Sequence, residues 1–397
     1  MNDLPVRWRI SSGQMLLLIF AMSLCVTPFA LPELLISALG ARPAWLGTVA
    51  ALGGALWGTT AAAALARRFH GRPFDQCVIG LLGPYVGRVY LAGLAALFLT
   101  GAPAQLMAFT SVVRQELLPF LPGVAPFMAV AVGLYLARSG PEAIGRLAAA
   151  LAPLVAAGLL VIYVPPVVRS HFGVFLPLRG LAWRQWWSEP VVAAAGTIRG
   201  FLCLLVLGPA VARKPSAGRT VAVAVLAWAL VAAAVVVPVA IFDAPLVEQM
   251  ALPFLSSVST TTWGWLPVRE LAPFTVLIWY AITLIVVATY LWMGLWLLER
   301  LLPFLPRRGP LWVVAAAMAV AAAAASTELS EPAFRAMFMA WNVAVVGLGV
   351  LAPTGLCLLR GAGRTPRAGR PGQGREGGHV SWRAAARRRP VRGRVAG

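Results

Sequence analysis

The residues best suited to bind a small ligand lie in the apolar stretch "VVAAAGTIRGFLCLLVL", which carries Gly196, Thr197, Arg199 and Gly200 near its centre. An arginine at the centre of a membrane span costs about 2.5 to 3.5 kcal/mol on insertion scales, so it indicates a functional site. Its guanidinium could hold a carboxylate through two parallel hydrogen bonds. Two alternatives stay open: Glu33 neutralises Arg199, or the long side chain reaches the outer membrane interface.

The first apolar run is also interrupted. Its segment "SLCVTPFALPELL" contains Thr27, Glu33 and two prolines, Pro28 and Pro32. Each proline removes a backbone donor and clashes with the preceding turn, so nearby carbonyls lose their helical partners. Inside a membrane such groups are tolerated only where they line a cavity or are buried in protein. Interrupted helices form substrate sites in secondary transporters; a proline kink required only for packing is the alternative.

The composition indicates an integral, multi-pass membrane protein. Of 397 residues, 60% are hydrophobic and 12% charged, with a mean hydropathy of +0.82, which is outside the range of soluble domains. A helix needs about 20 apolar residues to cross a bilayer. We therefore predict an all-α protein with about ten transmembrane helices. Their spans are 13–39, 43–66, 88–113, 119–137, 146–167, 190–212, 219–242, 271–297, 310–327 and 335–359.

The two interrupted segments are the first and the sixth of these ten. They are therefore corresponding members of two halves of five helices. Interruptions at corresponding positions are the best pointer in a sequence to an inverted-repeat transporter site. The pattern predicts a 5+5 inverted repeat with broken helices 1 and 6.

The distribution of basic residues predicts the orientation. With ten spans and a cytoplasmic N-terminus, most of the 33 Lys and Arg residues fall on the cytoplasmic side, as the positive-inside rule requires. Both termini are then cytoplasmic. A cleaved signal peptide is the competing interpretation of the first apolar run, and its removal would leave nine spans.

The last residues differ from the rest of the chain. We predict a transmembrane permease-like domain at 1–359 and a basic, disordered cytoplasmic tail at 360–397, which is rich in Gly, Pro and Arg and poor in apolar residues. Its charge is suited to anionic lipid headgroups. We expect membrane lipids as partners and no nucleic acid.

Catalytic and metal-binding patterns are missing from the sequence. The four cysteines are scattered without metal or disulfide spacing. All three histidines fall in predicted loops or in the tail, and Glu33 stands alone in its span. We therefore expect no enzyme, no metal site and no cofactor.

Several stretches carry a resemblance that runs in order from residue 10 to residue 350. They include "ISSGQMLLLIF", "ARRFHGRPFDQCVIGLLGPYVGRVY", "YLARSGPEAIGRLA" and "ALPFLSSVSTTTWGWLPVRELAPFTVLIW". These stretches resemble the spore germination permeases, the GerAB-type subunits of nutrient germinant receptors. That family is similar to the amino acid, polyamine and organocation permeases, which implies a LeuT-like arrangement of the two five-helix repeats.

The resemblance implies a receptor subunit in a bacterial cell membrane or spore inner membrane, assembled with A-type and C-type subunits. A small germinant, such as an amino acid, would bind near mid-membrane and trigger germination. The alternative is a secondary amino acid or cation transporter that works by alternating access. The implied ligand-binding residues are Cys25, Val26, Thr27, Pro28, Thr197, Ile198, Arg199, Gly200 and, on the eighth helix, Tyr280.

The chain departs from the family pattern at three positions. The glycines usual in the first-helix break are Cys25 and Thr27, and the acidic residue expected after Gly200 is Phe201. These changes put ordinary amino acid recognition in doubt, because backbone approaches a ligand carboxylate most easily at glycine. Weaker polar candidates, for which hydrogen bonding between helices is the alternative role, are Thr100, Gln105 and Thr110.

Overall fold

The structure is a computed structural model. It describes residues 10–68, 73–116, 124–176, 180–208, 211, 214–261, 272–302, 309, 312–313, 317 and 331–362. The tail beyond residue 362 and most of the predicted ninth span lie outside the described residues. The division of the chain at residue 360 therefore stays a prediction.

The described part of the chain is almost entirely helical, and its one β-bridge joins Ile10 to Val211. There is a 3-10 turn at Phe172–Phe175 and a π-helical turn at Val346–Leu351. In chain order the α-helices are α1 (Ser12–Leu24), α2 (Thr27–Leu39), α3 (Ala44–Arg68), α4 (Phe74–Leu82), α5 (Pro84–Glu116), α6 (Val124–Ser139), α7 (Pro141–Arg169), α8 (Trp183–Trp186), α9 (Glu189–Ala195), α10 (Phe201–Leu207), α11 (Ala217–Phe242), α12 (Ala244–Val247), α13 (Pro253–Ser259), α14 (Ala272–Leu301), α15 (Glu331–Val345) and α16 (Ala352–Ala362).

Seven helical stretches of the described chain are long and apolar enough to cross a membrane, and α6 contributes a shorter apolar helix. The chain is therefore an integral, multi-pass membrane protein. The predicted sixth span is not among the seven, since α9 and α10 have seven residues each. The count of ten stays a prediction. The seven are Ser12–Leu39, Ala44–Arg67, Pro84–Arg114, Pro141–Arg169, Ala217–Phe242, Phe274–Leu301 and Arg335–Leu358.

The start of α1 is fixed by a capping box, in which each of two side chains accepts a hydrogen bond from the backbone N–H of the other residue. The Ser11 hydroxyl accepts from the backbone N–H of Gln14 at 3.2 Å, and Oε1 of Gln14 accepts from the N–H of Ser11 at 2.9 Å. The serine and glutamine of the "ISSGQ" stretch thus have a structural role. They fix where the first helix begins.

The centre of the bundle is α14, which packs against α5, α6, α7 and α1. It runs antiparallel to α5: the ring of Tyr290 lies 5.9 Å from that of Phe98, and the ring of Tyr280 lies 5.7 Å from that of Phe109. Its inner side, which includes Trp279 and Tyr290, is fully buried. The residues of α14 that face α1 and α5 are therefore the ones placed to form an internal site.

One helix does not follow from the sequence pattern. The stretch between the second and third predicted spans is predicted to be a loop, whereas the structure has α4 there, nine residues long. Pro73 directly precedes α4 and Gly83, at φ 79°, ends it, which are common boundary residues of a helix. The helix is too short to span a membrane and packs against α5.

Small residues let helices approach closely at several crossings. A Cβ atom on Gly54 of α3 would lie 1.9 Å from the carbonyl oxygen of Ala195, at the end of α9. The neighbouring Gly53 faces open space, where an added Cβ would meet nothing within 4 Å. The α3–α9 contact therefore requires glycine at one of these two positions only.

We expect Gly54→Ala to destabilise the fold by about 1 to 3 kcal/mol, because the added methyl group meets backbone that cannot move alone. The measurement is the thermal unfolding midpoint of the purified protein in detergent. Gly53→Ala is the matched control and should leave the midpoint unchanged or slightly raise it. Equal midpoints for the two variants would contradict this packing.

Candidate functional site

The first interruption separates α1 from α2. Helix α1 ends at Leu24 and α2 begins at Thr27, with Cys25 and Val26 between them. Pro28 lies in the first turn of α2, where a missing N–H costs nothing. The two residues between the helices are fully buried. The chain therefore changes direction here without exposing this backbone at the protein surface.

The second interruption separates α9 from α10. Helix α9 ends at Ala195 and α10 begins at Phe201, and the five residues between them are all buried. The hydroxyl of Thr197 donates to the carbonyl oxygen of Ala194 at 2.7 Å. This bond caps the C-terminus of α9. The following residues, Ile198 to Gly200, are not helical.

The two interruptions contact each other. The backbone N–H of Gly200 donates to the Ser23 hydroxyl at 3.2 Å, and the Thr27 hydroxyl lies 3.5 Å from the carbonyl oxygen of Thr197. A Cβ on Gly200 would lie 2.1 Å from the carbonyl oxygen of Ile19. The structure thus brings together the two segments that the sequence identified 170 residues apart.

Arg199 is fully buried beside these segments. Its Nε donates to the Tyr290 hydroxyl at 2.8 Å, and its Nη1 donates to Oδ1 of Asn342 at 3.1 Å and to the carbonyl oxygen of Thr197 at 3.3 Å. Its Cζ lies 4.5 Å from the ring centre of Trp341, within range of a cation–π interaction. Helices α14 and α15 therefore fix the orientation of the guanidinium.

One nitrogen of this guanidinium remains unused. Nη2 of Arg199 is buried and has no hydrogen-bond partner among the described residues. All the partners of the other nitrogens are uncharged. A buried cation without a countercharge is costly, and an anion at Nη2 would relieve that cost.

Glu33 does not neutralise Arg199. It forms an ion pair with Arg335 of α15, which also reaches the Ser37 hydroxyl at 3.4 Å. Arg199 also does not extend to the membrane interface, since its side chain is fully buried. Both alternatives left open by the sequence therefore disagree with the structure.

Oγ1 of Thr283 and Oε1 of Gln105 are among the other polar atoms of the described residues that are buried without a hydrogen-bond partner. The antiparallel pairing of α5 with α14 puts Gln105 at about the level of Thr283. The Thr283 hydroxyl faces the thiol of Cys25, which is also within electrostatic range of Arg199. Unpaired donors and acceptors thus lie near the first interruption.

Aromatic side chains cover the interruption on the side of α2 and α13. Trp279 donates its indole N–H to the carbonyl oxygen of Cys25, and its ring lies 5.1 Å from that of Phe29. Phe254 of α13 packs against Tyr163, with 4.9 Å between the ring centres. These rings limit access of water to Cys25 from that side.

Tyr280 lies at a different place from the other predicted site residues. Its ring packs against Phe109 of α5 and the side chain is half-buried. Its neighbour Trp279 is the residue that contacts the first interruption.

The sequence alone does not single out five residues of the site. For two of them, Thr283 and Asn342, the available signal is a polar residue within an apolar run. The five are Trp279, Thr283, Tyr290, Trp341 and Asn342.

The arrangement is suited to binding rather than to metal chemistry. Among the described residues there is no group of three His, Cys, Asp or Glu side chains that could hold a metal ion. The site instead combines a cation, hydroxyl groups, an amide and aromatic walls, which are features of small-molecule pockets.

The comparison with solved structures shows the fold. The crystal structure of MhsT in complex with L-phenylalanine matches with a TM-score of 0.57 and 14% identity, covering 89% of this chain and 99% of that chain. MhsT is a LeuT-fold transporter, so this chain has the LeuT-type transporter fold. The predicted all-α membrane fold of this type is confirmed.

The family is shown by the sequence. The family model described as spore germination protein, Spore_permease, matches residues 9–330. This chain therefore belongs to the spore germination protein family, and the resemblance found from its motifs is confirmed. No curated protein sequence matches the chain.

The ion pair between Glu33 and Arg335 joins α2 to α15 at partly exposed positions, with 17% and 36% of the side chains exposed. In a double-mutant cycle with Glu33→Gln and Arg335→Gln, we expect a coupling energy of about 1 kcal/mol that decreases at high salt. The readout is the thermal unfolding of the two single variants and the double variant.

The control cycle uses Glu142 and Arg146 of α7, a pair four residues apart at 2.5 Å whose arginine side chain is 73% exposed. Its coupling should be about 0.5 kcal/mol or less. If the effects of Glu33→Gln and Arg335→Gln on stability were additive, the ion pair between Glu33 and Arg335 would not couple α2 to α15.

Proposed function

We propose that this protein is a membrane subunit of a spore nutrient germinant receptor and binds a small germinant between its two helix interruptions. The observation that carries the proposal is the buried guanidinium of Arg199, whose Nη2 has no partner in the described chain. The family supports the germination role. MhsT, which has the same fold, is in complex with L-phenylalanine, and this supports a small-molecule site in this chain.

In the proposed complex a ligand carboxylate binds Nη2 of Arg199. A charge-assisted hydrogen bond of this kind is roughly twice as strong as a neutral one. The hydroxyls of Thr27 and Thr283 and the thiol of Cys25 would contact the rest of the ligand. The ligand is an amino acid or a similar small compound with a carboxylate.

Binding is proposed to act on partner subunits of the A and C types in the spore inner membrane. The two interruptions are the places where α1 and α10 can turn relative to α2 and α9. A ligand that contacts both interruptions would favour one arrangement of these helices. With cytoplasmic termini, the basic tail at 360–397 would lie against anionic lipids.

The transporter fold favours a second candidate function, alternating-access transport of the same ligand. A broken-helix site can serve binding and transport alike. Uptake of radiolabelled ligand into proteoliposomes that contain only this chain distinguishes the two. We expect a receptor subunit to bind without uptake above that of empty liposomes; accumulation driven by an ion gradient would favour the transporter.

The main test is thermal stabilisation of the purified full chain by a panel of amino acids and small carboxylates. A ligand at about 100 times its Kd should stabilise the folded state by about 2.7 kcal/mol. We expect carboxylate-bearing compounds to raise the unfolding midpoint and Arg199→Gln to abolish the rise. Arg146→Gln removes an exposed arginine and is the matched control, in which the rise should remain.

Stabilisation that persists in Arg199→Gln would place the site elsewhere. The absence of stabilisation by any compound would count against ligand binding by this chain alone.

A further inference from the structure

A cavity of about 270 Å³ lies where α3 and α10 end and α11 begins. The indole N–H of Trp228 on α11 donates to the carbonyl oxygen of Thr48, near the start of α3, at 2.8 Å. Nζ of Lys214, just before α11, donates to the carbonyl oxygen of Ala66, near the end of α3. The two helices are therefore antiparallel, and the end of α3 meets the start of α11. Arg199 does not line this cavity, so the cavity is separate from the proposed germinant site.

The cavity lies at the boundary of the membrane. One membrane span ends at Arg67 of α3, and another begins at Ala217 of α11. Both residues line the cavity. The orientation predicted from the sequence places this end of the bundle on the cytoplasmic side, where anionic lipids give the membrane a negative surface potential. The cavity is therefore placed to meet the lipid headgroups of that leaflet.

The inner wall of the cavity is apolar. Leu204 of α10 and Val211 line it and are buried, and Ala63 of α3 also lines it. The β-bridge to Ile10 holds the backbone of Val211 in place. Such a wall favours contact with the carbon atoms of a ligand over contact with water.

The edge of the cavity is basic. Arg67 and Lys214 line the cavity and are exposed. The bond to Ala66 uses one of the three donors of the Lys214 ammonium group, so the others are available to a ligand. No acidic side chain is among the described residues that line the cavity. Two positive charges therefore border it without a negative charge from its described wall.

These features together fit an anion that also has an apolar part. A phosphate group accepts hydrogen bonds from arginine and lysine, and the apolar wall can cover the carbon atoms attached to it. The volume is close to the lower limit for small-molecule pockets, about 300 Å³. The cavity therefore has room for a headgroup, while the acyl chains of a lipid would remain in the bilayer. A free phosphate ion would leave the apolar wall in contact with water.

We propose that this cavity is a binding site for an anionic phospholipid, whose phosphate group binds Arg67 and Lys214. The glycerol group lies against Ala63, Leu204 and Val211. This site differs from the lipid contacts expected of the basic tail, because it has a defined position and an apolar wall. It goes beyond the proposed receptor function and does not depend on the germinant site. A lipid bound here contacts the end of α10, the short helix that follows the second interruption.

The test uses the purified full chain in an uncharged detergent. Two additives, dioleoylphosphatidylglycerol and dioleoylphosphatidylcholine, have the same acyl chains but differ in net charge. Two others, glycerol 3-phosphate and inorganic phosphate, have the phosphate group without acyl chains. Each is titrated while the thermal unfolding midpoint is measured, and native mass spectrometry counts the bound lipids. We expect phosphatidylglycerol to raise the midpoint saturably and more than phosphatidylcholine does. The two soluble phosphates should leave the midpoint unchanged at millimolar concentration.

Variants locate the lipid on the protein. Arg67→Gln and Lys214→Gln each remove one charge from the edge of the cavity. Each should weaken the apparent affinity for phosphatidylglycerol about fivefold, as expected for one basic residue near an anionic membrane surface. Lys214→Arg keeps the charge and should retain the affinity. Arg138→Gln removes an exposed arginine at the end of α6 and is the matched control, because its net charge equals that of the other glutamine variants. It should bind the lipid as the wild type does.

Equal weakening in Arg138→Gln would show that the lipid responds to net charge rather than to the cavity, and would overturn the proposal. So would equal stabilisation by the two phospholipids, stabilisation by the soluble phosphates, or a wild-type chain that phosphatidylglycerol does not stabilise. A lower midpoint of Lys214→Gln without lipid, combined with an unchanged lipid-induced shift, would show that Lys214 only stabilises the end of α3. If Lys214→Gln does not fold, Arg67→Gln, at an exposed position, still decides the question.

Discussion

The fold depends on one constraint: a guanidinium that cannot be deprotonated is buried within the helical bundle with only uncharged partners around it. Such a group is tolerated only if neighbouring elements supply acceptors and aromatic faces at fixed positions. Tyr290 does so from α14, and Asn342 and Trp341 do so from α15. Helices distant in sequence must therefore meet at one point.

Glycine makes this meeting geometrically feasible. A Cβ on Gly196 would lie 2.1 Å from the carbonyl oxygen of Asn342, and one on Gly200 would lie 2.1 Å from that of Ile19. Backbones that approach so closely leave room for no side chain. The glycines on either side of Arg199 thus bring α15 and α1 against the second interruption. Asn342 is thereby placed within hydrogen-bond distance of the guanidinium.

The sequence predicts where the helices are interrupted, but not what the interruptions contact. Proline, glycine and a charge inside an apolar run are local signals, so the regions around Pro28 and Arg199 can be found directly. The partners of Arg199 lie 91 and 143 residues away, on helices that no local pattern pairs with the second interruption. Hydrophobic periodicity can indicate which side of a helix is buried, but not which distant residue it meets. For the same reason the true partner of Glu33, on α15, is not apparent from the sequence.

The fixed positive charge of Arg199 also affects how such a site can respond to a ligand. A carboxyl or histidine side chain can adjust its protonation when it is buried, but arginine cannot. The local charge at Arg199 therefore stays at plus one, and binding of the proposed carboxylate would bring it to zero. The two states differ in the cost of keeping water away from the buried guanidinium. A conformational equilibrium that depends on this cost would respond to whether the site is occupied by ligand. A receptor requires this property, whether or not the ligand is then carried across the membrane.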